Sequence, residues 1–296
     1  QELASADGAV YYHNASTRES RWDEPAEHLA FVAELDELAA QYGAVDDDAD
    51  EAAPLGAAEC AQLAGILGTH ARDARVCRRA AGILNAVTTR APHVLDDLAA
   101  ADPHLELELV SALAHSGATD TGVVADATAM LAKLSAWERT KARLSLREYV
   151  EVLNRTALDH IPSQRSPGSQ QADAEPPTVV TRCLAILANL AYRAPDVVAI
   201  ELDCGVQRTL QLALHAHGAS DRRLCEVAVF GASCLLADDE SGTSEDDASV
   251  GTTSTEEAAT RRKTAVCACL ATDLAAALRR WGLDRDEDSD DDDDDD

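Results

Sequence analysis

The chain has 296 residues, 46% of them hydrophobic but only 3% aromatic. Ala and Leu therefore supply most of the apolar side chains, which favours thin helices packed pairwise over a broad aromatic core or a β-sandwich. A net charge of −29 leaves no basic stripe to neutralise phosphates, which argues against direct nucleic-acid binding.

Most of that charge lies in three segments: Asp46 to Glu51 carries five acids, Asp238 to Glu257 eight, and Asp284 to Asp296 eleven. The eight cysteines lack the dense spacing of a secreted disulfide scaffold and sit mostly inside apolar helical patterns, so they read as reduced core residues. No apolar run approaches the ~18 residues that span a bilayer, and no charged stretch precedes a short apolar one as in a signal peptide. The expectation is a soluble intracellular protein, cytoplasmic or nuclear, with no membrane partner. The chain starts at Gln1 and its single methionine is Met130, so it is expected to be a piece of a longer translation product.

In chain order, Asp7-Gly8 supplies a turn before the β-prone run Val10 to Asn14, and a second turn follows at Asn14 to Thr17. Two adjacent aromatics, Tyr11 and Tyr12, are followed by Asn14, Thr17, Ser20, Trp22 and, three residues later, Pro25. This pattern resembles the second and third strands of a WW domain. The resemblance implies that Tyr11 and Trp22 clasp the prolines of a polyproline II peptide, with Ser20 beside them as a hydrogen-bond donor and His13 and Arg18 along the side of the groove. It places Tyr12, Asn14 and Pro25 in the structural rear of the sheet. Such a ligand is already extended, so little conformational entropy is lost on docking.

Two departures modify this. The family members that read tyrosine-terminated motifs have a His where this chain has Ala15, which shifts the expected ligand towards proline runs or proline-leucine motifs. The family's first Trp would fall just before Gln1, and losing a core Trp costs roughly 3–5 kcal/mol. Residues 1–25 are therefore expected to be frayed.

Beyond Pro25, Leu29, Val32, Leu35 and Leu38 recur at intervals of three, marking an amphipathic helix closed by Gly43; an acidic linker reaches to residue 56. From Ala57 onward the chain is a succession of short helical patterns, and they repeat. Cys77 to Leu95 set against Val180 to Val198 shares Arg79, Ile83, Leu84, Arg90, Ala91, Pro92 and Val94 with the second copy, an offset of 103. With the 16 residues Pro162 to Pro177 taken as an insertion, that offset is two repeats of ~43 residues, a length that suits armadillo or HEAT units. In the second copy, Val180, Cys183, Leu184, Leu187, Leu190 and Ala191 share one helix face. Arg193-Ala194-Pro195 ends that helix, Gly205 opens the next, and Gly218 closes it. The stretch from Leu184 to Leu236 resembles an armadillo repeat and the last helix of its successor. Asn189 matches the asparagine that clamps peptide backbone in some armadillo grooves, against a purely local structural role; Asn85 falls one position out of register, and neither has a companion Trp.

The expected fold is mainly α: an armadillo/HEAT-like right-handed α-solenoid preceded by a partial WW β-sheet. The expected layout is a partial WW domain at 1–25, helix and linker at 26–56, repeats at 57–160 and 179–237, a polar insert at 161–178, an acidic insert at 238–256, a terminal helix at 257–283 and an acidic tail at 284–296.

His215-x-His217 and Cys267-x-Cys269 do not have the spacing of a structural zinc site, and read as core or surface residues. Cys225 and Cys234 read as small apolar residues. Asn14 and Asn154 each head a glycosylation sequon, but no other feature points to secretion. There is no P-loop, dinucleotide fingerprint, nucleophile elbow or zinc-protease helix, so no catalytic, cofactor-binding or metal residues are assigned and no enzyme is expected. The function expected is an adaptor, with the WW module taking proline-rich segments and the solenoid groove a second protein. The alternative is an acidic escort that holds basic proteins through its tail.

Overall fold

The computed structural model describes residues 2–4, 10–14, 18–21, 25–43, 55–101, 104–116, 120–161, 178–237 and 252–281. They form three short strands and thirteen helices. The polar insert at 162–177, most of the acidic insert and the acidic tail lie outside the described residues.

The strands β1 (Glu2–Ala4), β2 (Val10–Asn14) and β3 (Glu19–Arg21) make an antiparallel ladder in that order. Leu3 faces Tyr11, and His13 faces Ser20. β1 is a strand the sequence reading did not expect. The identification of this segment as a WW domain is corrected. The ladder stops at Arg21, while Trp22 and all of the strand side chains lie outside what the structure describes, so no aromatic groove or rear buckle is seen. Pro25 starts a helix: its carbonyl accepts the N–H groups of His28 and Leu29 at 3.0 and 3.1 Å. The physical reason is scale. Strands of three to five residues bury too little surface to define a domain without a packed aromatic core. Apart from this ladder, the elements are all helices.

The chain divides into two compact units, residues 1–156 and 157–296. In the first, α1 (Ala26–Gly43), α3 (Ala74–Arg90) and α6 (Thr121–Leu134) pack in succession. Helices α2 (Ala57–Thr69) and α5 (Leu105–Ser116) pack on each other and on α3, and α5 also packs on α6. Helix α4 (Pro92–Ala101) lies on α2 and α3, and α7 (Glu138–Leu144) on α5. Helix α8 (Arg147–His160) carries the division between the units.

The buried face of α1 is narrower than its spacing suggests. Val32 and Leu35 are buried, but Leu29 is 49% exposed and Leu38 only half-buried. Intervals of three fall short of the 3.6-residue turn, so four such positions sweep round the helix instead of forming a stripe. Tyr42, buried at the far end, extends the face that Leu35 begins.

Helices α3 and α6 open alike. Asp73 accepts N–H bonds from Arg75 and Val76, and Asp120 from Gly122 and Val123. Each satisfies donors that the first helical turn leaves without partners. The links between successive helices recur at one repeat length. Arg79 reaches Asp36, 43 residues back, Asn85 reaches Asp126, 41 residues on, and Lys133 reaches Thr89 across 44.

In the second unit, α9 (Thr178–Ala191) packs on α12 (Arg222–Leu236), and α11 (Val206–His217) and α12 both pack on α13 (Thr252–Trp281). Helix α10 (Pro195–Asp203) touches α9, α11 and α12. Val180, Cys183, Leu184, Leu187, Leu190 and Ala191 of α9 are all buried, as their spacing predicts. The repeated Arg-Ala-Pro is visible in the backbone. Ala91 (φ −126°, ψ 80°) and Ala194 (φ −132°, ψ 79°) adopt the same extended conformation, which a following proline favours, and Pro92 and Pro195 start α4 and α10. Gly205 opens α11 at φ 81°, a left-handed conformation that suits glycine. Helix α13 begins at Thr252, inside the segment assigned to the acidic insert. Among the described residues no helix is long and apolar enough to cross a membrane.

Candidate functional site

The first unit carries an open groove of about 630 Å³ across α1, α3 and α6. Helix α3 forms its floor through Arg78, Arg79, Gly82, Asn85, Thr89 and Arg90; α1 contributes Asp36 and Ala39, and α6 contributes Asp126.

Each carboxylate here is engaged by the protein. Arg79 grips Asp36 with two guanidinium nitrogens: Nε donates to Oδ1, and Nη2 to Oδ2 at 3.1 Å. That hydrogen bond is the main cause of the lowering of the Asp36 carboxyl below its ordinary range. Desolvation opposes it, and the positive charges of Arg79 and Arg75 add to it. Asn85 donates its amide to Asp126 Oδ1 at 2.9 Å. Gly82 lies where α3 meets α6, and an added Cβ there would stand 3.3 Å from Asp126 Oδ2. At the Arg90 end, Lys133 Nζ donates to Thr89 Oγ1 at 2.9 Å. Arg78 is open to solvent. Its side chain is 62% exposed, and the nearest carboxylate oxygen, on Asp120, is 3.7 Å away. That is too long for a direct hydrogen bond.

Beside the groove, Asp73, which caps α3, also approaches α1, its Oδ2 2.8 Å from His28 Nε2 but outside hydrogen-bond geometry. The His70 ring stacks on Phe31 at 5.4 Å, and burial lowers its pKa, with the Asp73 charge opposing and that of His28 adding.

The residues singled out from sequence are elsewhere. Tyr11, Tyr12, His13 and Asn14 belong to β2 and Ser20 to β3, but their side chains lie outside the description, as does all of Trp22. Arg18 is exposed between β2 and β3 with φ 58°. No proline-binding groove is assembled among the described side chains. Asn189 belongs to the second unit, half-buried on α9. One turn later Tyr192 lies 5.9 Å from Phe230, and Arg193 lies over the Tyr192 ring at 5.1 Å. Asn85, the one out of register, lines the α1–α3–α6 groove. Sequence reasoning passed over Arg78, Asp36 and Asp126, although Arg75, Arg78 and Arg79 share a helix face without an acid in a strongly acidic chain.

His215 is exposed, and its Nδ1 lies 3.9 Å from Asp273. The side chains of Cys267 and Cys269 lie outside the description. Cys225 and Cys234 are buried, and among the described residues no cysteine pair forms a disulfide. Burial pushes the thiol of Cys183 up to about 12, so it stays protonated. Among the described residues no group of three or more His, Cys, Asp and Glu is arranged to hold a metal ion.

No family model matches the chain, and no curated protein matches it. The crystal structure of an engineered protein from the Northeast Structural Genomics Consortium matches with 14% identity and a TM-score of 0.44, covering 83% of this chain and 96% of that one. Neither the WW resemblance of residues 7–25 nor the armadillo resemblance of the helical body thus becomes membership of a family.

Proposed function

We propose that the chain is a protein-interaction module without catalytic activity, in which the first unit stacks its helices as a right-handed solenoid-like array and takes an extended segment of another protein in the α1–α3–α6 groove. One observation carries this reading: three successive helices present polar side chains to one open groove, linked at separations of 41 to 44 residues. An extended peptide brings unpaired N–H and C=O groups along its whole length. A groove that offers amide, hydroxyl and guanidinium groups along α3, with carboxylates from α1 and α6, can answer them.

The test is a peptide array probed with the full chain, its hits measured by fluorescence anisotropy against wild type and Ala86→Trp. Ala86 lines the groove and is half-buried, so an indole there fills it. Affinity should fall at least tenfold with the thermal midpoint unchanged. Equal affinity for both proteins would rule the groove out.

A second reading has its own observation, the eleven acids between Asp284 and Asp296. Such a run attracts cationic protein surfaces, and the attraction fades with salt. Under that reading, capture of a basic protein is abolished by ending the chain at Leu283 and is indifferent to Ala86→Trp.

A further inference from the structure

We infer that the groove of the first unit selects acidic segments, stretches of a partner protein rich in Asp and Glu. This rests on the groove reading above and adds the chemistry of the occupant.

Helix α3 carries Arg75, Arg78, Arg79 and Arg90 and no acidic residue. In the groove lining, three guanidinium groups meet two carboxylates, an inversion of the balance in a chain of net charge −29. Both carboxylates already accept hydrogen bonds, Asp36 from Arg79 and Asp126 from Asn85. A basic ligand would compete with those donors and bring its own cations towards Arg78 and Arg90. An acidic ligand displaces neither of these bonds, and at Arg78 it competes with an Asp120 oxygen standing 3.7 Å away. Arg78, open to solvent on most of its side chain, presents a planar set of donors that matches a carboxylate in two-point geometry. Arg90 is exposed at the end of the same helix, and Lys133 reaches that end through Thr89.

Spacing makes the preference more specific. Arg78 and Arg90 are about 18 Å apart along the helix axis at 1.5 Å per residue. An extended peptide covers that distance in about five or six residues at ~3.3 Å each. The fitting segment therefore places acids at both ends of a stretch of that length. The chain's own acidic runs do not forbid it, because fields are screened beyond about 8 Å at physiological salt, while a guanidinium–carboxylate contact is direct.

The experiment uses the full chain at physiological salt and fluorescence anisotropy, with labelled peptides of equal length rich in Asp and Glu, in Lys, or in Asn and Gln, and with a labelled single-stranded oligonucleotide. The acidic peptide should bind at least tenfold tighter than the neutral one. The paired substitution Arg78→Glu with Arg90→Glu should remove that preference, and Arg78→Gln with Arg90→Gln should reduce it. Arg223→Glu, exposed on α12 of the second unit, should leave it unchanged. Circular dichroism melts show that each variant is folded. Tighter binding of the Lys or neutral peptide, lost in Ala86→Trp, would overturn the acidic preference and leave the groove standing. Binding of every probe unaffected by Ala86→Trp would overturn both. An oligonucleotide bound as tightly as the acidic peptide would also overturn the inference, since the surface would then read polyanions in general.

Discussion

Glu201 is 1% exposed on α10, and its Oε1 meets no hydrogen-bond donor. Burial alone holds its carboxyl well above the ordinary range, so folding favours the protonated form. With the folded pKa raised over the unfolded one, the contribution to stability is full below about pH 4.3 and is lost as pH rises through the folded value. Urea unfolding at pH 5 and pH 8 should show Glu201→Gln losing less stability across that interval than wild type. Glu201→Leu should be more stable at pH 8 by roughly 1–3 kcal/mol, the cost of a buried group without a partner. Parallel pH profiles for wild type and Glu201→Gln would refute the assignment. The burial was partly legible: Glu201 stands four residues after the buried Val197, on one helix face, yet its charge argued for the solvent side. Asn85 shows the opposite limit: its place in the groove depends on how α3 meets α6, through the bond to Asp126, and no local pattern carries that.

At the scale of elements, one aspartate opens each of α3, α6 and α12. Asp221 accepts a single N–H, from Leu224, whereas Asp73 accepts two and also contacts His28 of α1. Replacing an N-cap by Ala costs about 1 kcal/mol. Asp221→Ala should show that loss in chemical denaturation, and Asp73→Ala should lose more. Equal losses would mean that the His28 contact contributes nothing. Helix α13 tests another kind of tie. Val266, Leu270 and Ala277 are buried, and Trp281 Nε1 donates to the Gly218 carbonyl at 2.9 Å, joining the helix to the end of α11. Trp281→Phe keeps most of the packing and removes the bond, so it should cost about 1 kcal/mol and speed amide exchange in α13. Unchanged exchange would show that packing alone holds the helix. The elements were the most legible part of this chain, because apolar period and Arg-Ala-Pro punctuation act locally. The WW identification failed for a complementary reason. Its evidence was a local pattern, and a pattern of side chains specifies a domain only when a core holds them together.

For the whole molecule, the question is how a chain of net charge −29 holds a groove in which three guanidinium groups meet two carboxylates. Ending the chain at Leu283 removes eleven acids and one arginine. If those charges act on a groove ligand only through their field, the effect must follow the screening length, about 30 Å at 0.01 M salt and about 8 Å at 0.15 M. The shortened chain should then bind an acidic peptide severalfold tighter than the full chain at the lower salt and within twofold of it at the higher. Its unfolding free energy in urea should stay within about 0.5 kcal/mol of wild type. A tenfold gain that persists at 0.15 M could not come from a screened field. It would mean that the acidic run competes for the groove by direct contact, and adding the free tail peptide to the shortened chain should then restore the weaker binding.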